Sequence, residues 1–189
     1  MVPTVPPPSR PVHPSRPADP VRHWYEHELG WAVAEGTPVQ LLTGLRFDVM
    51  EMPADAGHAV LGRLAPRCPV ALQGPVMRLL VAAGSAEELP GLLDWLEWGA
   101  LARDLTAIGA GGRIDAPTPP GWPGSPGAAR WLRPPESGCE AEPALPALAS
   151  LGGGGGAPAL DLVRLVDAAA TECHRARLRR LSAQALAFS

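Results

Sequence analysis

Proline and glycine interrupt this chain so often that their placement decides which stretches can fold. Proline fixes φ and removes an amide donor, so it stops helices and is tolerated in sheets only at edges and ends. Eight of the 24 prolines lie in residues 1–20, and five of the 21 glycines form the run 152–156. Those two stretches are expected to be flexible, residues 1–20 as a disordered Pro-rich tail, rather than core. Hydrophobic residues make up 46% of the chain and charged residues only 19%, so disorder driven by high charge and low hydropathy is excluded. What remains suffices for one domain, at roughly 100–200 residues per domain, and not for two.

All 16 basic residues are Arg, and the chain contains no Lys and no Asn, the bias of a GC-rich bacterial coding sequence. The formal net charge is −3, which gives no general basic excess for holding a polyanion. From Pro158 onward five Arg stand against three acids, so the basic patch is C-terminal. Cys68, Cys139 and Cys173 are odd in number and far apart. They fit neither a disulfide framework nor a CxxC metal pair, and free thiols in a reducing cytosol are expected. The N-terminus lacks the apolar stretch of a signal peptide. No apolar run approaches the roughly 18 residues of a membrane span, and a soluble, cytoplasmic protein is expected.

Four regions follow: a Pro-rich tail (1–20), an α+β domain (21–135), a Pro- and Gly-rich linker (136–158) and a C-terminal helix (159–189). Within the domain, Val21, Trp24, Tyr25 and Leu29 recur at helical spacing. VQLLT and LRFDVMEM carry strand composition, and 54–65 places Val60, Leu61 and Leu64 on one helical face. PVALQ and MRLLVAA flank Gly74-Pro75 as a hairpin. Ser85 and Glu88 have capping-box spacing ahead of a helix with Leu89, Leu92, Leu93 and Leu96 inward. Strand character resumes over 104–116 around the turn GAGG, 117–126 is loop, and 129–132 is a last strand. In the C-terminal helix Leu162, Val166, Ala169, Cys173 and Leu181 fall broadly along one stripe.

Motifs with chemical potential are few. His23 and His27, at i and i+4, have metal-ligand spacing, but no third or fourth ligand is signalled. GAGGRI has the glycines of a phosphate-cradling loop. Such a loop must open a helix, whereas Pro117, Pro119 and Pro120 forbid one here, so a tight turn between strands is the better reading. HRARLRR (174–180) has phosphate-binding residues, yet Arg at a helix C-terminus is also what the macrodipole favours. No GxSxG, P-loop or zinc-ribbon spacing is present.

The order LLTGLRFDVMEMP, GPVMRLLV, GAGGRIDAPTPP, ARWLRPP, covering about residues 24–135, resembles the bacterial primase–polymerase N-terminal domain family. The resemblance implies a primase–polymerase-like palm, an RNA-recognition-like antiparallel or mixed sheet with flanking helices, to which the C-terminal helix is added. It also implies a two-metal nucleotidyl-transfer site built on carboxylates at i and i+2 of one strand, which share a face. The first of these positions is Glu51, but the second is Pro53. The family's nucleotide-contacting His falls on Arg78, or on Met77 if the register slips by one, and its third acid on Thr106, with Asp104 two residues away. Asp48 lies three residues from Glu51 and belongs on the opposite face of a regular strand.

With all these positions altered, the resemblance implies a degenerate member that binds rather than catalyses. Arg78 and Arg113 are the candidate nucleotide or anion ligands, since an Arg fork holds phosphate without deprotonation. No metal site and no cofactor are then expected, and the chain is expected not to be an enzyme. The alternatives are a divergent nucleotidyl transferase using magnesium or manganese at a rearranged Glu51, Asp104 and Asp115 site, and a scaffold. The partners these admit are a nucleotide, a nucleic acid, or a protein docking on residues 1–20 or 159–189, with no membrane.

Overall fold

The computed structural model describes residues 19–136, 145–148 and 161–187. The Pro-rich tail up to residue 18, most of the linker including Cys139, and the last two residues lie outside them. Asp19 opens the described chain by accepting hydrogen bonds from the Val21 and Arg22 amides, which caps a short helix α1 (Pro20–His23). The helix continues as one π-helical turn, Trp24–Glu28, and turns Trp24 and Tyr25 inward.

Five strands form the main sheet: β2 (Phe47–Pro53), β3 (Val70–Gln73), β4 (Val76–Ala82), β5 (Thr106–Ile108) and β7 (Arg130–Arg133), in the order β5-β2-β4-β3-β7. Every pairing is antiparallel, so the sheet is not mixed. α2 (Ala54–Leu64) joins β2 to β3, and α3 (Ser85–Trp95) leads from β4 towards β5. The run β2-α2-β3-β4-α3-β5 is therefore a double split β-α-β unit of ferredoxin-like type, with α2 carrying the chain over β4 to the far strand. β7 extends the sheet beside β3. A separate two-stranded sheet pairs β1 (Gln40–Leu42) with β6 (Arg113–Asp115).

The period-2 pattern of β2 sorts its side chains between two environments. Asp48, Met50 and Met52 face the helices, together with Met77, Leu79 and Val81 of β4. Gly57 of α2 sits so close to Met77 that a β-carbon there would overlap its side chain. α4 (Leu162–Ala187) packs on α2 and α3 and inserts Leu162, Leu165, Val166, Ala169, Ala170, Cys173 and Ala176 into the same core. Far from being an appendage, it supplies a wall of that core. Leu181, placed on the inward stripe by sequence spacing, is 53% exposed. The packed portion of α4 ends before it, because α2 is too short to cover the last turns.

Capping of α3 also differs from its sequence signal. Gly84 is the N-cap, and no side chain of the expected Ser85–Glu88 box bonds the helix end. Instead the Asp48 carboxylate reaches across from β2 and accepts the Ala86 amide at 2.9 Å. A buried acid 38 residues away does the work that a local Ser was expected to do, because β2 begins beside the end of β4, from which α3 starts.

The other face of the sheet is half covered. Trp31 stacks near Phe47 (ring centres 4.6 Å) and Trp131 (6.3 Å), and Tyr25 lies beside it. The Tyr25 hydroxyl donates to the Pro117 carbonyl at 2.6 Å and accepts from the Trp131 indole at 3.0 Å. Burial pushes its pKa up, so it remains a neutral clamp between the N-terminal turn and β7. The opposite end of this face, around Glu51, Pro53, Val76 and Thr106, has no such cover.

Candidate functional site

Strand register brings together residues that are far apart in sequence. Thr106 of β5 pairs with Glu51 of β2, Glu51 with Arg78 of β4, Arg78 with Ala71 of β3, and Ala71 with Trp131 of β7. These five form one row across the half-open face, and neighbours in such a row have β-carbons about 4.5–5.5 Å apart. Glu51, Arg78 and Thr106, three of the positions singled out by the family resemblance, are thus consecutive in space. Pro53 lies two residues from Glu51 on the same face. Of the two residues named for the His position, Arg78 shares the face of Glu51, whereas Met77 is buried beneath α2.

The row is closed by its own charges. Arg78 Nε donates to Glu51 Oε1 at 2.6 Å, with both side chains largely shielded from solvent. Arg78 Nη1 donates to the Gln73 amide oxygen, Gln73 Nε2 to Asp115 Oδ2 at 2.8 Å, and Gln40 Nε2 to Asp115 Oδ1 at 3.0 Å. The chain of bonds joins the main sheet to the small one. Hydrogen bonds from Gln40 and Gln73, and the positive field of Arg78, hold the Asp115 carboxyl below its ordinary range.

A depressed pKa means that the folded state binds its proton less readily than the unfolded chain does. The linked stability is present above the unfolded carboxylate value near 3.9 and is lost as pH falls through the lower folded value. Thermal melts from pH 6 down to about pH 2 are expected to show Asp115→Asn losing less stability on acidification than the parent chain. Parallel curves for the two proteins would contradict this.

The three acids of the rearranged catalytic alternative are not assembled into one centre. Glu51 and Asp104 line a common cleft of about 370 Å³ with Met52, Pro53, Pro75, Val76, Thr106 and Arg180. Asp115 is not among its lining residues. Glu51 is held by Arg78, Asp104 by Arg180 Nη2 at 2.6 Å, and Asp115 by two amides. Asp48 is on the opposite face, 1% exposed. Among the described residues no group of three or more His, Cys, Asp or Glu is placed to hold a metal ion. His23 and His27 stack on each other with ring centres 4.3 Å apart.

Arg113, the second candidate anion ligand, is exposed on β6, on the same side of that strand as Asp115 and two residues from it. Among the described residues no hydrogen bond or ion pair links it to the Glu51–Arg78 network. Gly109 and Gly112 of GAGG serve close packing, and Gly111 supplies a positive φ. Gly112 donates to the Gly109 carbonyl at 3.0 Å to close the turn, and Thr43 Oγ1 donates to that same carbonyl at 2.6 Å. No helix opens after the turn, because β6 follows and pairs with β1 rather than with β5. Cys68 and Cys173 are free, buried thiols, each pushed up to about 12 by desolvation, which leaves them protonated and poor nucleophiles.

Of the two sequence readings of the Arg-rich stretch of the last helix, one is that it complements the macrodipole. The helix runs on to Ala187 with no basic residue in its last turn, so the macrodipole does not account for the stretch. The stretch instead reaches sideways: Arg180 pairs with Asp104 and with Asp55 of α2 at 3.6 Å, and Arg175 pairs with Glu172 at 2.7 Å. Nothing in the local sequence marks Asp55 or Asp104 as partners.

Fold and site together define an α+β domain built on a double split β-α-β unit, with helices on one sheet face and a self-paired polar row on the half-open other. No family model matches the chain, and no curated protein or solved structure matches it significantly. Among the described residues no helix is long and apolar enough to cross a membrane.

Proposed function

We propose that the chain is a catalytically degenerate primase–polymerase-like domain with a palm of the RNA-recognition type, acting as a regulatory module that binds a nucleotide or nucleic acid. The observation that carries this reading is the row Thr106–Glu51–Arg78. The positions that the resemblance assigns to two acids and a histidine stand side by side on the half-open sheet face, as a metal-dependent palm needs them. Their chemistry, however, is that of a closed ion pair.

Two-metal transfer needs carboxylates free to ligate. Here one carboxylate is neutralised by a guanidinium at 2.6 Å, and the i+2 position is a proline. A face retained in geometry but stripped of its metal ligands suits binding. Arg113 is exposed on the small sheet and, with no hydrogen bond or ion pair among the described residues, offers its guanidinium to phosphate.

Primer-extension assays with magnesium or manganese are expected to yield no templated product. Templated synthesis that is abolished by Glu51→Gln would overturn the reading. For binding, a labelled single-stranded oligonucleotide or nucleoside triphosphate is expected to associate with the full chain and to lose affinity in Arg113→Glu. Equal affinity for parent and variant would remove Arg113 from the site.

A further inference from the structure

Like charges gather beside the open end of the sheet. Arg103 caps the 3-10 turn Gly99–Ala102. Together with Arg177 and Arg180 of α4 it lines an open cleft of about 610 Å³, whose other walls include Leu181, Ala183 and Gln184. Asp104 is the one acid lining it. A chain of net charge −3 thus places three guanidinium groups around one concavity.

Ordinary structural roles do not account for all three. Arg180 is anchored by Asp104 and Asp55. Arg103 spends only its Nε, on the carbonyl of Ala100 at 3.2 Å. Arg177 is half-buried and has no ion pair or hydrogen bond among the described residues. The helix dipole gives it no reason to be there, because α4 continues for ten residues beyond it. An unpaired, partly desolvated guanidinium next to two others costs energy through desolvation and like-charge repulsion, and a bound anion relieves both.

We propose that this cleft binds the phosphate groups of a polyphosphorylated ligand. Guanidinium forks match phosphate oxygens in pairs and remain charged at any physiological pH. The volume lies within the roughly 300–1,000 Å³ of small-molecule sites, well beyond the needs of a single inorganic ion. The cleft shares Asp104 and Arg180 with the 370 Å³ cleft floored by Pro53, Pro75 and Val76. Phosphates seated on the arginines would therefore place the rest of the ligand against an apolar wall. The site uses residues that the family resemblance does not assign, so it stands or falls separately from the role of the polar row.

Calorimetric titration of the full chain with inorganic tripolyphosphate, with a nucleoside triphosphate and with a short single-stranded oligonucleotide tests this. At least one is expected to bind, with affinity falling as salt rises. Arg103→Gln and Arg177→Gln are each expected to weaken it about tenfold, the loss of one charge-assisted hydrogen bond. Arg63→Gln, an exposed site on α2 away from the cleft, should leave it unchanged. Both cleft variants are expected to melt no lower than the parent, since neither side chain holds another element and each relieves like-charge repulsion.

Cleft-dependent binding of tripolyphosphate identifies a phosphate chain as sufficient. Cleft-dependent binding of the nucleoside triphosphate alone adds recognition of the base, and of the oligonucleotide alone assigns the phosphates to a nucleic-acid backbone. Absence of binding by all three probes overturns the inference. So does binding that Arg63→Gln weakens as much as the cleft variants do, or that only Arg113→Glu weakens. That last result would place the ligand on the sheet face and leave the palm reading intact.

Discussion

A chain that stops at residue 158 is expected to lose its cooperative unfolding transition. Removing α4 strips Leu162, Leu165, Val166, Ala169, Ala170, Cys173 and Ala176 from the core, and it exposes the faces of α2 and α3 on which they pack. Burial of each Leu or Val is worth about 1.5–3 kcal/mol. Three such residues alone approach the 5–15 kcal/mol that separates a typical folded domain from its unfolded state. The Trp98 indole, which donates to Asp167 at 3.0 Å, would lose its partner as well. Thermal melting by circular dichroism should show a broad, non-cooperative curve for the truncated chain. A sharp transition near that of the full chain would contradict a core shared with α4. In the full chain, Leu165→Ala should cost about 2–5 kcal/mol, while Leu181→Ala, half-exposed beyond the packed region, should stay within about 0.5 kcal/mol.

This expectation depends on packing that sequence periodicity revealed only in part. The apolar repeat of α4 was legible, because Leu162, Val166, Ala169 and Cys173 recur at helical spacing, and so were β2, α2 and the β3–β4 hairpin at Gly74-Pro75. Each of these is specified by residues within its own segment. Which surface receives α4 was not legible, since the receiving face is assembled from α2 and α3, some hundred residues earlier in the chain. The same limit explains the two glycine-flanked strands around 109–112. Both were recognisable as strands, but local sequence does not say that β5 joins the main sheet while β6 pairs with β1.

The candidate site was legible to the same degree. Alternation along a strand separates Asp48 from Glu51, and the structure places one beneath α3 and the other on the open face. Alternation cannot say what lies on the adjacent strand, so the closure of Glu51 by Arg78 and the onward bonds through Gln73 to Asp115 had no sequence signal. Long-range ion pairs behave in the same way. The partners of Arg180 come from α2 and from the residue after the 3-10 turn, and only folding makes them neighbours.

Substituting alanine for Gly44 is expected to destabilise the domain more than the same change at Gly111 or Gly112. Gly44 has φ +85°, where an L side chain costs about 1–2 kcal/mol. A β-carbon there would also overlap the Ala110 backbone, which no rotamer change can move aside. Overpacking adds about 1–3 kcal/mol. The combined loss is therefore about 2–5 kcal/mol, against about 1–2 kcal/mol at Gly111, which has φ +75° but open space around it. Gly112→Ala should fall between, since its β-carbon would press on Ile108 and on Thr43 Oγ1 without a left-handed backbone. Urea unfolding of the three variants gives the order directly. These glycines let the turn after β1 and the turn after β5 meet backbone to backbone, with Thr43 bonded to both Gly109 and Gly112. A phosphate-cradling role for GAGG predicts in addition that Gly111→Ala removes tripolyphosphate binding, whereas a packing role leaves that binding unchanged. The two accounts are separated by one titration with tripolyphosphate.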